Sequence, residues 1–288
     1  MANYRTDELD KGLGIKARRA ISYIVLIFVS FLCLVWFYIL IVNATRSKGE
    51  LTQGFVPIPS THLMDNWKGL ISGTLPVVNG LINSLFVSAC SAALCTYFSC
   101  MTAYAIHAYD FKFKKAIFTF ILAVMMIPTQ VTALGFLQLV DGMGLNNSFI
   151  PLIIPTIASP VTFYYLKQYV ASNLPISIIE AARIDGSGEF RTFNTIMLPM
   201  MKPAMAVQAI FTFVSSWNNY FTPALILQDD KKKTLPILIA QLRSADFLKF
   251  DMGQVYVMIA FSIFPVVIVY LLLSKHIVQG VAVGSVKG

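Results

Sequence analysis

An all-α integral membrane protein with six transmembrane helices is the fold class this chain predicts, on three observations. Of its 288 residues, 57% are hydrophobic and only 12% are charged, against roughly a quarter charged in soluble domains. Its mean hydropathy is +0.70. Six charge-free apolar stretches follow one another, at 21–42, 81–106, 116–140, 149–166, 204–228 and 252–274. Each reaches the ~18 residues that mark a candidate spanning helix. The connections are short, so the chain reads as one membrane domain over 1–288, with no room for a separate soluble fold.

Taken in order, the first stretch follows Arg18 and Arg19, and Val42-Asn43-Ala44 loosely fits a small-x-small cleavage site. It exceeds the usual ~7–15-residue apolar region of a signal peptide, so an uncleaved anchor is the reading. Cys90, Cys95 and Cys100 fall in the second stretch and Cys33 in the first, all read as small packing residues without metal-site spacing. The third carries Pro128, Thr129 and Gln130 at its middle, where a bend is expected. The fourth is short and broken by Pro151, Pro155 and Pro160, with Tyr164 and Tyr165 read as interfacial aromatics at its end. The fifth contains Asn218, Asn219 and Tyr220 ahead of Pro223. Two readings stand for these three: a polar translocation path through the third to fifth stretches, or hydrogen bonding between helices.

Orientation follows from lysine and arginine. With both termini inside, fourteen of the 22 lie on the cytoplasmic side and eight outside, which favours a cytoplasmic N- and C-terminus. Lys231, Lys232 and Lys233 then lie outside and read as a solvated loop tip, partly offset by Asp229 and Asp230. The net charge of +8 is mostly a topology signal with attraction to anionic lipid, not a nucleic-acid footprint. His62, His107 and His276 are isolated, no nucleophile–base pair is evident, and no phosphate-binding loop is present. No Asp, Glu, Lys or Arg lies inside the six stretches, which argues against a carrier that binds a coupling ion on its own.

Between the fourth and fifth stretches lies a polar insert, about 172–203, that must sit in water beside the membrane. Pro175 suits the first turn of one short helix, running through Glu180, Ala181 and Ala182 and stopping near Gly186. Ser187 or Gly188 opens a second, reaching Met197 and ending before Pro199. The Asp185-Gly186 turn joins them. Small residues on the first helix let another surface approach the backbone closely, which suits docking rather than catalysis.

This insert resembles the cytoplasmic Glu-Ala-Ala loop of ABC importer permeases. Glu180, Ala181, Ala182, Gly186, Ile196, Leu198 and Pro199 hold the motif's places, and Arg183 with Asp185 gives the form of the carbohydrate-importer branch. Further stretches are similar to the same family: the outer-loop segment from Pro59 to Trp67, the Gly144-Leu145-Asn146-Asn147-Ser148 turn, Trp217-Asn218-Asn219-Tyr220, Thr234-Leu235-Pro236, and the tail from Gly280 to Gly288. That tail resembles the subunit type that includes the smaller permease of the maltose-type transporter, with Ser285 replacing the usual Ala.

The resemblance implies a multi-pass permease of the bacterial cytoplasmic membrane, itself non-catalytic, carrying a sugar or oligosaccharide. Its implied partners are a second, different permease, two ATPase subunits, an extracytoplasmic sugar-binding protein and membrane lipid. No cofactor is expected in this chain, whereas ATP and Mg are expected in the partner ATPase. Glu180, Ala181, Ala182, Asp185 and Gly186 are the implied ATPase-docking residues. The competing readings are a stand-alone carrier or channel, and a scaffold whose hairpin only recruits a soluble partner.

Overall fold

The computed structural model describes residues 14–244 and 251–284. Arg5, Lys11 and the end of the tail at 285–288 lie outside the described residues. No strand occurs among the described residues, and the helices run in the order α1 (Ile15–Ala44), α2 (Lys48–Thr52), α3 (Leu63–Ser72), α4 (Val77–Ala108), α5 (Lys114–Val124), α6 (Thr129–Gly142), α7 (Ile150–Ile153), α8 (Pro160–Asn173), α9 (Ile176–Ile184), α10 (Glu189–Arg191), α11 (Leu198–Trp217), α12 (Phe221–Ile226), α13 (Leu235–Ser244) and α14 (Met252–Gly284). Four helical runs are long and apolar enough to cross a membrane: Ala17–Ala44, Val77–Ala108, Glu189–Trp217 and Met252–Lys275. The bent pair α5 and α6 makes a fifth candidate. The protein is therefore a multi-pass membrane protein.

The remaining stretches depart from straight spans for reasons written in their prolines. The third, 116–140, is not one helix: α5 and α6 meet at 99°, because Pro128 is extended (ψ 130°) and lacks the N–H needed to continue a helix. The fourth, 149–166, is three pieces, α7, a 3-10 turn at Ile154–Ala158, and α8. Pro151, Pro155 and Pro160 each sit in the first two positions of one piece, where a missing N–H costs nothing. The α8 helix continues to Asn173, past Tyr164 and Tyr165.

The fifth stretch also differs from its expected bounds of 204–228. Its helix does not stop before Pro199. It runs from α10 through a π-helical turn at Thr192–Met197 straight into α11. The wider π turn falls just before Pro199 and Pro203, where proline rings crowd the preceding backbone carbonyls. The helix ends at Trp217, and a separate short α12 follows.

Contacts divide the chain into two compact units, one of residues 1–69 with 251–260, the other of 70–250 with 261–288. In the first, the C-terminal end of α1 is tied down by the outer-loop motif. Asn66 Nδ2 donates to the Ala44 and Arg46 carbonyls at 3.0 and 2.9 Å, and Ser60 N–H donates to Thr45 Oγ1 at 2.8 Å. Glu50 closes a capping box with Ser47 and accepts from Ser60 Oγ at 2.9 Å. A Cβ on Gly253 would lie 2.7 Å from the Arg46 carbonyl and the Asn66 amide, so the segment at 251–260 packs here only through a glycine.

In the second unit α4 is the central helix, packed on α8, α11 and the 3-10 turn. The side it buries is small and hydroxylated: Ser84, Ser88, Ser91, Cys95 and Ser99 are all 2% exposed or less. Small residues let membrane helices approach closely. One core gathers Cys100, Ala103, Tyr104 and Ile106 of α4 with Phe163, Leu166 and Val170 of α8, Ile179 of α9, and Phe193, Met197 and Met201 of the fifth-span helix. Cys100 is buried in this core and Cys95 is buried elsewhere on α4, Cys90 is half-buried, and Cys33 is exposed and so does not pack as expected.

The lysine run is a solvated turn, with Lys231 and Lys232 exposed, and it is braced by hydrogen bonds. Asn83 Nδ2 of α4 donates to the Lys231 and Lys233 carbonyls at 2.8 and 3.0 Å, Lys233 pairs with Asp230, and Lys232 Nζ donates to the Asn147 carbonyl at 2.9 Å. Asn147, left-handed at φ 57°, also accepts through Oδ1 from the Gln228 and Asp229 N–H groups.

Candidate functional site

The hairpin formed by α9, the Asp185-Gly186 turn and α10 is the polar device the sequence points to. The α9 helix starts one residue after Pro175 and ends in a left-handed Gly186 at φ 74°. Ser187 N–H donates to the Ala182 carbonyl at 2.9 Å and Gly186 N–H to the Arg183 carbonyl at 3.0 Å. This is the paired closure of a Schellman turn, which uses a residue free of Cβ strain at the left-handed position. The Gly144-Leu145 turn repeats the same pattern, with Leu145 N–H on the Val140 carbonyl and Gly144 N–H on that of Asp141.

Burial sorts the expected docking residues. Glu180, Ala181, Asp185 and Gly186 are exposed. Ala182 is not part of that outer face: it is 5% exposed and lies one helical turn from Ile179, which is fully buried. Ala182 therefore seats the helix on the bundle. The outer face instead carries Ile184, 86% exposed, and across the turn Phe190, 71% exposed. Sequence reasoning missed both, although a helical wheel phased on Ile179 and Ala182 turns Ile184 outward. The hairpin thus exposes two large apolar side chains beside the carboxylates of Glu180 and Asp185. That combination favours burial against another protein.

Its two arms are clamped to each other and to α4. Arg183 Nε lies 2.7 Å from Glu189 Oε1, and the carboxylate's hydrogen bond raises the guanidinium pKa further above its ordinary value. Tyr104 Oη of α4 donates to Glu189 Oε2 at 2.8 Å. The Arg183 guanidinium lies 5.3 Å over the Tyr109 ring, whose own hydroxyl is pushed up in pKa by burial and then by the Glu189 carboxylate. Phe193 packs edge-on to Tyr97 and tilted to Tyr104, at 5.7 and 5.5 Å.

The second group, Asn218, Asn219 and Tyr220, lies at the break between α11 and α12. Asn218 and Tyr220 are exposed, while Asn219 Oδ1 accepts from the Thr222 N–H at 3.4 Å and steadies the first turn of α12. The two groups are separate features of the unit. No cluster of His, Cys, Asp or Glu that could hold a metal occurs among the described residues.

Comparison with known proteins places these features. Residues 95–283 match the family model described as binding-protein-dependent transport system inner membrane component. The arabinooligosaccharides transport system permease protein AraQ of Bacillus subtilis (strain 168) is 34% identical over 257 residues, covering 87% of this chain and 89% of its own. The melibiose/raffinose/stachyose import permease protein MelC of the same strain is 29% identical, covering 88% and 91%. A chain from the crystal structure of a bacterial ABC transporter involved in import of the acidic polysaccharide alginate superposes with a TM-score of 0.78 at 20% identity, over 90% of this chain and 96% of that one, and so shares its fold.

Proposed function

We propose, from the premise that the chain belongs to the family of binding-protein-dependent transport system inner membrane components, that it is the membrane-spanning permease subunit of an ATP-driven importer for a sugar or oligosaccharide. The observation that carries this reading is the exposed hairpin: a rigid turn offering Ile184, Phe190, Glu180 and Asp185 to a partner. The sugars named for the relatives favour a short oligosaccharide as cargo.

On this reading the chain acts as one transmembrane domain of six spans with both termini in the cytoplasm of a bacterial cell, and it catalyses nothing itself. Two ATPase subunits bind ATP and Mg and dock on the hairpin. A second, different permease completes the pathway, and an extracytoplasmic binding protein delivers the sugar. Closure of the ATPases shifts the permeases between inward- and outward-facing states, by as much as their contacts with the hairpin differ between those states. Asn218, Asn219 and Tyr220 line the path where the fifth span breaks, a reading supported by the exposure of Asn218 and Tyr220.

The test is reconstitution. The chain in proteoliposomes with its co-encoded second permease, ATPase and binding protein is screened against arabino-oligosaccharides and α-galactosides for stimulation of ATP hydrolysis. One sugar class raises hydrolysis and accumulates inside. Concentrative uptake by this chain alone under an imposed proton or sodium gradient would overturn the assignment in favour of a carrier.

A further inference from the structure

The hairpin is attached to the bundle along the chain at both ends and, across space, through α4. Along the chain α8 leads through Leu174 and Pro175 into α9, and α10 runs through the π turn into α11. Across space one face of α4 holds the hairpin and the segments on either side of it, at three points. Tyr97 Oη donates to Asn194 Oδ1 at 3.1 Å, Tyr104 Oη donates to Glu189 at 2.8 Å, and His107 Nε2 lies 2.9 Å from the Leu174 carbonyl, just before α9. Tyr97, Tyr104 and His107 are seven and three residues apart, a spacing that keeps them near one face of the helix.

Among these contacts Glu189 alone engages both hairpin arms and α4. One carboxylate oxygen takes Arg183 from α9 and the other takes Tyr104 from α4. An exposed ion pair by itself contributes little. This one differs because its second ligand, Tyr104, is 3% exposed, so removing Glu189 leaves a buried hydroxyl without an acceptor. Tyr104 in turn packs on Phe193 and Tyr109, and α4 packs along both α8 and α11.

We infer that Glu189 is the positioning residue of the hairpin: by holding Arg183 and Tyr104 together it makes the hairpin and the C-terminal end of α4 one rigid piece. Displacement of the hairpin then reaches the bundle through α4 as well as through α11. Without the clamp the hairpin still docks, held by its two chain connections and by the buried Ile179 and Ala182, but its tie to α4 loosens and part of the displacement is lost. The inference rests on the docking reading above for the source of the displacement, not for the rigidity itself.

Two readouts separate these. In the full complex, spin labels on Gly188→Cys, an exposed and open position of the hairpin, and on Lys112→Cys, with the native cysteines replaced, report the distance between the hairpin and the segment after α4. Sugar accumulated per ATP hydrolysed, for the sugar identified by the stimulation screen, reports coupling. Glu189→Ala broadens the distance distribution, leaves the ATPase co-purifying, and lowers the transport ratio about fivefold, the lower end of typical coupling between sites. Exchanging the charges, Arg183→Glu with Glu189→Arg, narrows the distribution again and recovers most of the ratio, with Tyr104 Oη accepting from the relocated guanidinium. Wild-type distance width and ratio in Glu189→Ala, or no rescue on exchange, would overturn the positioning role. Should Glu189→Ala not fold, Tyr104→Phe carries the same measurement, and an unchanged distribution there overturns it too. Failure of the ATPase to co-purify with the wild-type chain would sink the docking reading instead, while the distance measurement would still judge the clamp.

Discussion

Two long apolar helices, α1 and α4, use the same secondary structure in opposite ways. The most apolar stretch of α1 has no buried residue, and large side chains such as Leu26, Phe28 and Phe31 stand 60–61% exposed. In α4 a third of the corresponding stretch is buried, and the buried side chains include Ser84, Ser88, Ser91 and Cys95. The more apolar helix is therefore the less buried one. In water the ranking would be reversed; in a membrane, lipid rewards large aliphatic side chains while helix–helix contact rewards small ones. The hairpin is a third case, exposed like α1 yet fixed in conformation like α4.

The contrast breaks first at the core end of α4. Ile106 is 6% exposed among Phe163, Leu166 and Phe193. Ile106→Ala should cost about 2–5 kcal/mol, the usual range for truncating a well-packed aliphatic. It is read as a lowered unfolding midpoint of the purified chain in mixed micelles. A cost near zero would mean that this core is loose and that α4 is no more packed than α1.

Overpacking is the next largest effect. Ser91 is fully buried and its hydroxyl has no hydrogen-bond partner. Ser91→Leu should lose about 1–3 kcal/mol by forcing α4 off its neighbours, whereas Ser91→Ala should be neutral, since small size and not hydrogen bonding is what the site uses. A destabilising Ser91→Ala would show that the hydroxyl itself holds the helices together.

The hairpin comes third. A Cβ at Gly186 meets nothing within 4 Å, so space is free and only the left-handed backbone resists. Gly186→Arg should therefore cost about 1–2 kcal/mol locally and reduce ATPase co-purification while membrane insertion stays normal. Gly188 is equally open but has an ordinary φ of −67°, and Gly188→Ala should leave binding unchanged. Equal effects at the two glycines would remove the conformational explanation.

Much of this was legible in the sequence. Five of the six charge-free stretches fall on helices apolar enough to cross a membrane, singly or as the bent pair, and the fourth does not; the Glu-Ala-Ala spacing marked the hairpin and its turn. What stayed hidden has physical causes. Pro199 reads as a stop, but the π turn lets the helix pass through it, so the second arm of the hairpin and the fifth span are one rod. Ala182 lies on the inner face although its small size suits docking, and Ile184 lies on the outer one, because helical phase and not side-chain size decides which way each points. The Tyr104–Glu189 contact joins residues 85 apart, and nothing in either neighbourhood announces the other. The segment around Ser60 and Asn66 reads in the sequence only as a family mark, whereas in the structure its side chains close the end of α1.

The smallest effect should be found on α1, and it decides whether exposure there means lipid contact. Ser30 is exposed and Leu26 is 61% exposed. If lipid surrounds the helix, an added or removed aliphatic group meets the same apolar medium whether the chain is folded or not. Ser30→Leu and Leu26→Ala should then each shift the unfolding free energy by less than about 0.5 kcal/mol, as substitutions away from packed features usually do. The comparison is tightest for Ser→Leu, because the same chemical change at Ser91 is expected to be costly. Measured on the same purified chain in the same micelles, a loss at Ser30 equal to that at Ser91 would mean that α1 is covered by protein on this face. The inverse relation between apolarity and burial would then fail.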